Sequence, residues 1–246
     1  MTLPAIFVER ETISDVWEET ILEIIRKGKI KFTEYGESSL CVNATLNILY
    51  PFKEPRIHRG DVYAYMSIKS GYVDEILKGT KDKYVKEGKE EYTYHDRIFS
   101  YKPPSLPPID QINEFVVPKL KKSPFSRRAQ AITWYVWGDP KSSSPPCLQR
   151  IWFTILDENL IMEANWRSRD AFRAMGANMY AMVELQKMVA EKLGKRIGNY
   201  IDKSSDLHIY EKSWEEVERF LKTLKRRRIE KKEKIEECLE RLEKLI

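Results

Sequence analysis

The sequence predicts an α+β fold, a mixed β-sheet flanked by helices. Apolar residues recur at helical spacing in some segments and alternate in others. The two kinds of segment do not follow one another in a regular βαβ order, which argues against a parallel doubly wound sheet. The first helix is expected from Ser14 to Lys27, where Val16, Ile21, Ile24 and Ile25 form one stripe and Gly28 is the stop. From Phe32 to Tyr50, Leu40, Val42 and Ala44, then Leu46, Ile48 and Tyr50, alternate as strands. Prolines and charges from Pro51 to Asp61 mark a loop.

Tyr72 to Lys78 reads as a short helix closed by Gly79, followed by an exposed charged stretch up to Tyr92. Pro103, Pro104, Pro107 and Pro108 form an extended link. The helix after it, Asp110 to Lys121, turns Ile112, Phe115, Val116 and Leu120 inward, with Pro118 bending or shortening it. Ala129 to Trp137 and Ile151 to Ile155 are expected strands, and Asp157-Glu158-Asn159 turns the chain into a third, Leu160 to Trp166. Helical periodicity returns from Asn178 to Leu193 with Gly194 as stop. It returns again from Ser213 to Arg228, where Ser213 and Glu216 form a capping-box pattern. An extra C-terminal helix carries Ile235, Leu239, Leu242 and Ile246 at near-heptad spacing. The expected organisation is one domain over 1–224 with a charged helical extension over 225–246.

Composition narrows the function. With 42% hydrophobic and 33% charged residues in 246, a sizeable core lies beneath a charged surface. No fixed-period repeat is visible, so a solenoid is excluded. A net charge of +5 suits an anionic small ligand. The basic run Lys225, Arg226, Arg227, Arg228, Lys231, Lys232 and Lys234 reads as a solvated helix face rather than a nucleic-acid site. Cys41, Cys147 and Cys238 are odd in number and scattered, with no CxxC or Cys/His cluster, so neither a disulfide framework nor a metal site is expected. No run has signal-peptide or membrane-spanning character, and a cytoplasmic protein is expected.

Three segments carry chemistry. Cys147 follows Pro145-Pro146, which fix its backbone, and stands near Arg150; a thiolate needs such positive charge at neutral pH. Ser126-Arg127-Arg128 and Arg167-Ser168-Arg169-Asp170 offer guanidinium forks and hydroxyls that pair with phosphate oxygens. Taken singly, each reads as a core cysteine or a polar loop. In order and spacing they resemble the thymidylate synthase family: Asp110-Gln111-Ile112 with Ser126-Arg127-Arg128, then Pro145-Pro146-Cys147, Trp166-Arg167-Ser168-Arg169-Asp170 with Gly176-Ala177-Asn178-Met179, and Asp206-Leu207-His208-Ile209-Tyr210. The match spans about residues 109 to 210 and is loose over the first hundred.

The resemblance implies a pyrimidine C1-transferase in which Cys147 adds to carbon 6 of deoxyuridylate, dividing one hard step into easier ones. It implies that Arg167 and Ser168 hold the phosphate with Arg127 and Arg128 of a partner, so that a homodimer shares its sites. Arg26 is the candidate for a further arginine near the first helix. Asn178 is the base-recognition residue by the same likeness, and its carboxamide suits uracil; as a helix N-cap it would also fit its place. Asp170 matches an aspartate near base and cofactor, His208 and Tyr210 a pair on the deoxyribose hydroxyl, and Tyr92, with Tyr94 as alternative, a tyrosine ahead of Arg97. The implied donor is 5,10-methylenetetrahydrofolate or methylene-tetrahydromethanopterin, with no metal. Four departures stand out. The family's glutamate lies seven residues before a helix-ending glycine, and counting back from Gly79 gives Tyr72. Leu148 replaces the histidine after the cysteine, and paired tryptophans are missing from the cofactor wall. A charged helix stands where the family has a short apolar tail that closes the site against water, which leaves hydroxymethyl transfer, with water replacing hydride, as the alternative reaction.

Overall fold

The computed structural model describes residues 2–246 and has the expected α+β architecture. The chain opens with β1 (Ala5–Arg10), whose Ile6 and Val8 point inward, and α1 (Ile13–Lys27), capped by Thr12 accepting from Asp15 N. β2 (Lys29–Phe32) and β3 (Ser38–Ile48) form a hairpin. Four short helices follow: α2 (Val62–Lys69), α3 (Tyr72–Lys78), α4 (Asp82–Lys86) and α5 (Tyr94–Phe99). α3 ends where expected, at Gly79 in the left-handed region. α2 was not legible: its apolar residues lie on all sides, with only Ala64 buried, so no period marks it.

Pro118 acts as expected on the next helix. It has no N–H to bond back to Glu114, and the turn over Gln111–Val116 is widened to π type before α6 (Val117–Lys122). β4 (Gln130–Ile132) is much shorter than the strand expected to Trp137. Past Ile132 side chains take the backbone groups that a ladder would use. Arg97 donates to Thr133 O at 3.0 Å, the Tyr101 hydroxyl donates to Trp134 O at 3.0 Å, and Tyr135 N donates to Asp139 at 2.6 Å. β5 (Leu148–Leu156) and β6 (Asn159–Trp166) pair antiparallel through the Asp157-Glu158 turn, both residues at positive φ, and β7 (Arg169–Asp170) follows.

α7 (Met175–Leu193) begins three residues before Asn178, which therefore lies within the first turn and is not the N-cap. β8 (Arg196–Tyr210) is a long central strand. α8 (Trp214–Lys225) starts at Ser213, but no capping box forms: Ser213 Oγ is buried without a partner, and Glu216 instead accepts from Tyr63 at 2.5 Å and Arg173 at 2.6 Å. α9 (Lys232–Glu243) buries Ile235, Cys238, Leu239 and Leu242 and leaves Ile246 exposed.

The sheet order is β1-β3-β8-β6-β5-β4, with β2 on β3 and β7 on β8. β1/β3 and β8/β6 are parallel and the other neighbours in that order antiparallel, hence mixed. Leu160, Met162, Ala164 and Trp166 share the helix-covered face, as alternation predicts. The opposite face bears an ion cluster, Glu163 with Arg150 at 2.8 Å and Lys203 at 2.7 Å. The basic run at the C-terminal side is largely consumed internally. Lys231 meets Glu18 at 2.6 Å, Arg228 meets Glu18 at 3.2 Å, and Lys234 meets Glu23 at 2.6 Å, all on α1. Burial alone would raise the Glu18 carboxyl, but hydrogen bonds from His58 and Lys231 with the charges of Lys231 and Arg228 outweigh it and hold Glu18 at about 2. No described helix is long and apolar enough to cross a membrane.

Candidate active site

Cys147 sits on a lead-in that one arginine holds in place. Arg167 donates from Nε to Pro146 O at 3.0 Å and from Nη2 to Pro145 O at 2.7 Å, and its backbone N–H donates to Cys147 O at 2.9 Å. The proline rings fix φ and the planar guanidinium spans both carbonyls, so Arg167 holds the backbone turn that presents Cys147. Cys147 is half-buried. Burial pushes its thiol up, against the pull of Arg167 and then Arg169. The positive charge near the cysteine comes from Arg167 and Arg169 rather than from the expected Arg150, which pairs with Glu163 at 2.8 Å, and burial outweighs it, so the thiol stays above its ordinary value.

Arg167 also lines two cavities, of about 350 and 450 Å³. The first is completed by Ser168, His208, Tyr210 and, from the β2–β3 hairpin, Lys31 and Tyr35. His208 is buried with Nδ1 3.0 Å from Asp206, while its Nε2 has no partner among the described residues. Its ring meets that of Tyr210 edge-on at 4.4 Å. Burial, with the charge of Asp170 adding, lifts the Tyr210 phenol to about 12. The second cavity takes in Trp134, Asp139 and Pro145. Tyr92 and Tyr94 stand together, ring centres 5.5 Å apart, and the Tyr94 hydroxyl accepts from Leu148 N at 3.3 Å, the residue after the cysteine. Burial raises both phenols.

Asp170 accepts from the N–H groups of Phe172 and Arg173, each at 2.9 Å. Asn178 is buried and donates from Nδ2 to the Tyr72 hydroxyl at 2.7 Å. Arg169, within the segment expected to clamp phosphate, points inward instead: it ion-pairs with Asp202 behind the site, both side chains essentially buried. Arg26 lies at the end of α1, held by Glu23 at 2.9 Å and Glu237 at 2.8 Å, and lines neither cavity. Arg127 and Arg128 are exposed and also line neither; Trp152 Nε1 donates to Arg127 O at 3.0 Å.

Four residues escaped the sequence reading. Lys31 and Tyr35 reach the cavity through a hairpin with no motif. Tyr72 carried a signal, its register before Gly79. Asp61 caps α2, accepting from Ala64 N at 2.9 Å, and its other oxygen packs over Gly176, where a Cβ would come within 1.9 Å. Burial, with the Asp170 charge adding, lifts Asp61 from 3.8 to about 7. A carboxyl raised this way contributes stability that is complete below its unfolded pKa and lost as pH rises through the folded value. Asp61→Asn keeps the cap and the shape, so it is expected to be more stable than wild type at pH 8, by on the order of 2–4 kcal/mol, with the gap closing towards pH 4. Paired thermal melts across that range measure it; a pH-independent gap would refute the assignment.

These features define a protein of α+β fold in which one arginine both clamps the backbone leading into a cysteine and lines two polar cavities. A family profile described as thymidylate synthase matches residues 61–242. A protein of Methanosarcina mazei named "Putative thymidylate synthase" is 30% identical over 217 residues, covering 87% of this chain and 94% of its own. Proteins of the same name from Methanocaldococcus jannaschii and Methanothermobacter thermautotrophicus are each 28% identical, covering 82% and 87% of this chain and 90% and 98% of theirs. The chain belongs to the thymidylate synthase family.

Proposed function

We propose that the protein is a thymidylate synthase, converting deoxyuridylate to thymidylate with a methylene-bearing reduced pterin, 5,10-methylenetetrahydrofolate or methylene-tetrahydromethanopterin. The observation that carries the reading is the Arg167 clamp on Pro145-Pro146-Cys147, on a side chain that also lines the cavity of Ser168, His208 and Tyr210. Arg167 and Ser168 bind the phosphate, and the free Nε2 of His208 with the Tyr210 hydroxyl takes the deoxyribose hydroxyl. Asn178 reads the uracil edge. So held, carbon 6 meets Cys147 Sγ, an orientation gain that makes addition effectively unimolecular. Tyr92 and Tyr94 wall the thiol, and Asp170 stands between base and donor.

A separate cavity of about 470 Å³ is walled by the rings of Tyr63, Phe172 and Phe220 and by Glu216, whose oxygens already accept from Tyr63 and Arg173. Aromatic walls suit a flat heterocycle. When bound, the donor supplies a one-carbon unit and, in the reductive route, a hydride. Arg127 and Arg128 serve the partner's phosphate in a homodimer with shared sites; their exposure, outside their own chain's cavities, supports this.

Tritium release from deoxyuridylate labelled at carbon 5 tests the reading. Release is expected with one of the two donors, together with oxidised pterin. Release without oxidised pterin would assign hydroxymethyl transfer, and no release with either donor would end the proposal. Mixing Arg127→Ala chains with Cys147→Ser chains should restore partial activity, because one of the two sites in each mixed dimer, about a quarter of all sites after random mixing, then combines intact parts. Activity no higher than that of the separate variants would count against shared sites.

A further inference from the structure

We infer that Tyr72 is the hydrogen-bond donor to the O4 oxygen of the pyrimidine, held in place by Asn178; this rests on the deoxyuridylate reading above. α3 and α7 pack together, which brings Tyr72, at the start of one, against Asn178, in the first turn of the other. The phenol oxygen accepts the Asn178 amide at 2.7 Å, and its own proton has no acceptor among the described residues. A phenol that has accepted one bond retains one proton to give. α3 also packs on α5, whose Tyr94 hydroxyl accepts from the N–H of Leu148, the residue after the cysteine, at 3.3 Å, so Tyr72 stands on the element that walls the thiol.

The addition step creates a need for that proton. Solvent takes the thiol proton, the thiolate lone pair on Sγ forms a bond to carbon 6, the C5=C6 π pair becomes a C4=C5 bond, and the C4=O4 π pair moves onto O4. No oxidant or reductant is involved, and the negative charge rests on one oxygen. The Tyr72 O–H bonds to that oxygen without surrendering its proton. Burial raises the phenol, so it stays neutral through the working pH range. A preorganised donor aimed at developing charge acts on the transition state more than on bound substrate. With Nδ2 of Asn178 committed to Tyr72, its Oδ1 is left to accept from N3–H. A donor for O4 beside an acceptor for N3–H matches uracil and mismatches cytosine, whose amino group and bare N3 reverse the pattern. The family's carboxylate is thus replaced by a phenol that needs no change of protonation.

Tyr72→Phe removes only the hydroxyl. Tritium release from labelled deoxyuridylate is expected to fall about 10²–10³-fold, with the dissociation constant for deoxyuridylate changing less than about tenfold and the preference over deoxycytidylate narrowing. Difluorotyrosine at position 72, a more acidic phenol of nearly the same size, keeps the packing and should move the alkaline limb of the pH–rate profile to lower pH. Release within about threefold of wild type in Tyr72→Phe, or an unmoved limb in the fluorinated protein, overturns the inference. Absence of release in the wild-type enzyme overturns the deoxyuridylate reading as well, so the two failures are distinguished.

Discussion

Cys147→Ser is expected to lose turnover by roughly 10⁴-fold or more while still binding deoxyuridylate within about tenfold. Serine fits beneath the Arg167 clamp, since the bonds that shape the turn run to Pro145 and Pro146 carbonyls and to the backbone of Cys147, not to its side chain. Phosphate and sugar contacts are untouched. What disappears is the polarisable nucleophile: a serine hydroxyl has no base beside it here, whereas the thiol has two arginines favouring its anion. Tritium release measures turnover and calorimetry measures binding. Full activity in the variant would remove the covalent mechanism, and lost binding would show that the cysteine shapes the pocket rather than reacting in it.

The second large effect concerns the pair behind the site. Asp202 accepts from Arg169 Nη1 at 2.9 Å and also from Nη2, from Tyr200 at 2.6 Å and from Trp166 Nε1 at 3.2 Å, and is buried. Asp202→Asn keeps the shape but leaves the Arg169 guanidinium buried without its counter-charge. Breaking one partner of a buried ion pair costs about 3–5 kcal/mol, and for a chain of this size that lowers the melting temperature by on the order of 10 °C. Arg169 also stacks on Trp166 at 4.7 Å, and Trp166 meets the Tyr94 ring edge-on at 5.9 Å. A loosened Arg169 therefore reaches the thiol's wall, and turnover should fall even below the new melting point. A melting shift under about 2 °C would show that solvent or rearrangement replaces the carboxylate.

The elements that sequence revealed are those where burial follows a period. β6 alternates, α1 carries a stripe, and α3 ends on a glycine at positive φ. Where side chains from distant segments decide the backbone, reading along the chain fails. Arg97, Tyr101 and Asp139 end β4 early, and Tyr63 with Arg173 draws Glu216 away from Ser213. The site shows the same division. Cys147, Arg167 and Asn178 stand in short ordered motifs, so spacing exposed them. Arg169 lay in such a motif, but its direction depends on Asp202, thirty-three residues on in sequence and adjacent only in space. Tyr35 and Asp61 reach their places through a hairpin and a helix cap, which leave no periodic trace.

The carboxylates of α1 that receive Lys231, Lys234 and Arg228 make the attachment of α9 respond oppositely to two stresses. Warming weakens the hydration of separated ions, so the contact between the two helices loses less to heat than an apolar seam of equal area does. Protonation removes it: a carboxyl held at about 2 lends its stability above the ordinary carboxylate range and loses it as pH falls through that value. At neutral pH the ionic part of this fastening outlasts its apolar part on heating, and strong acid leaves the last helix held by its apolar face alone.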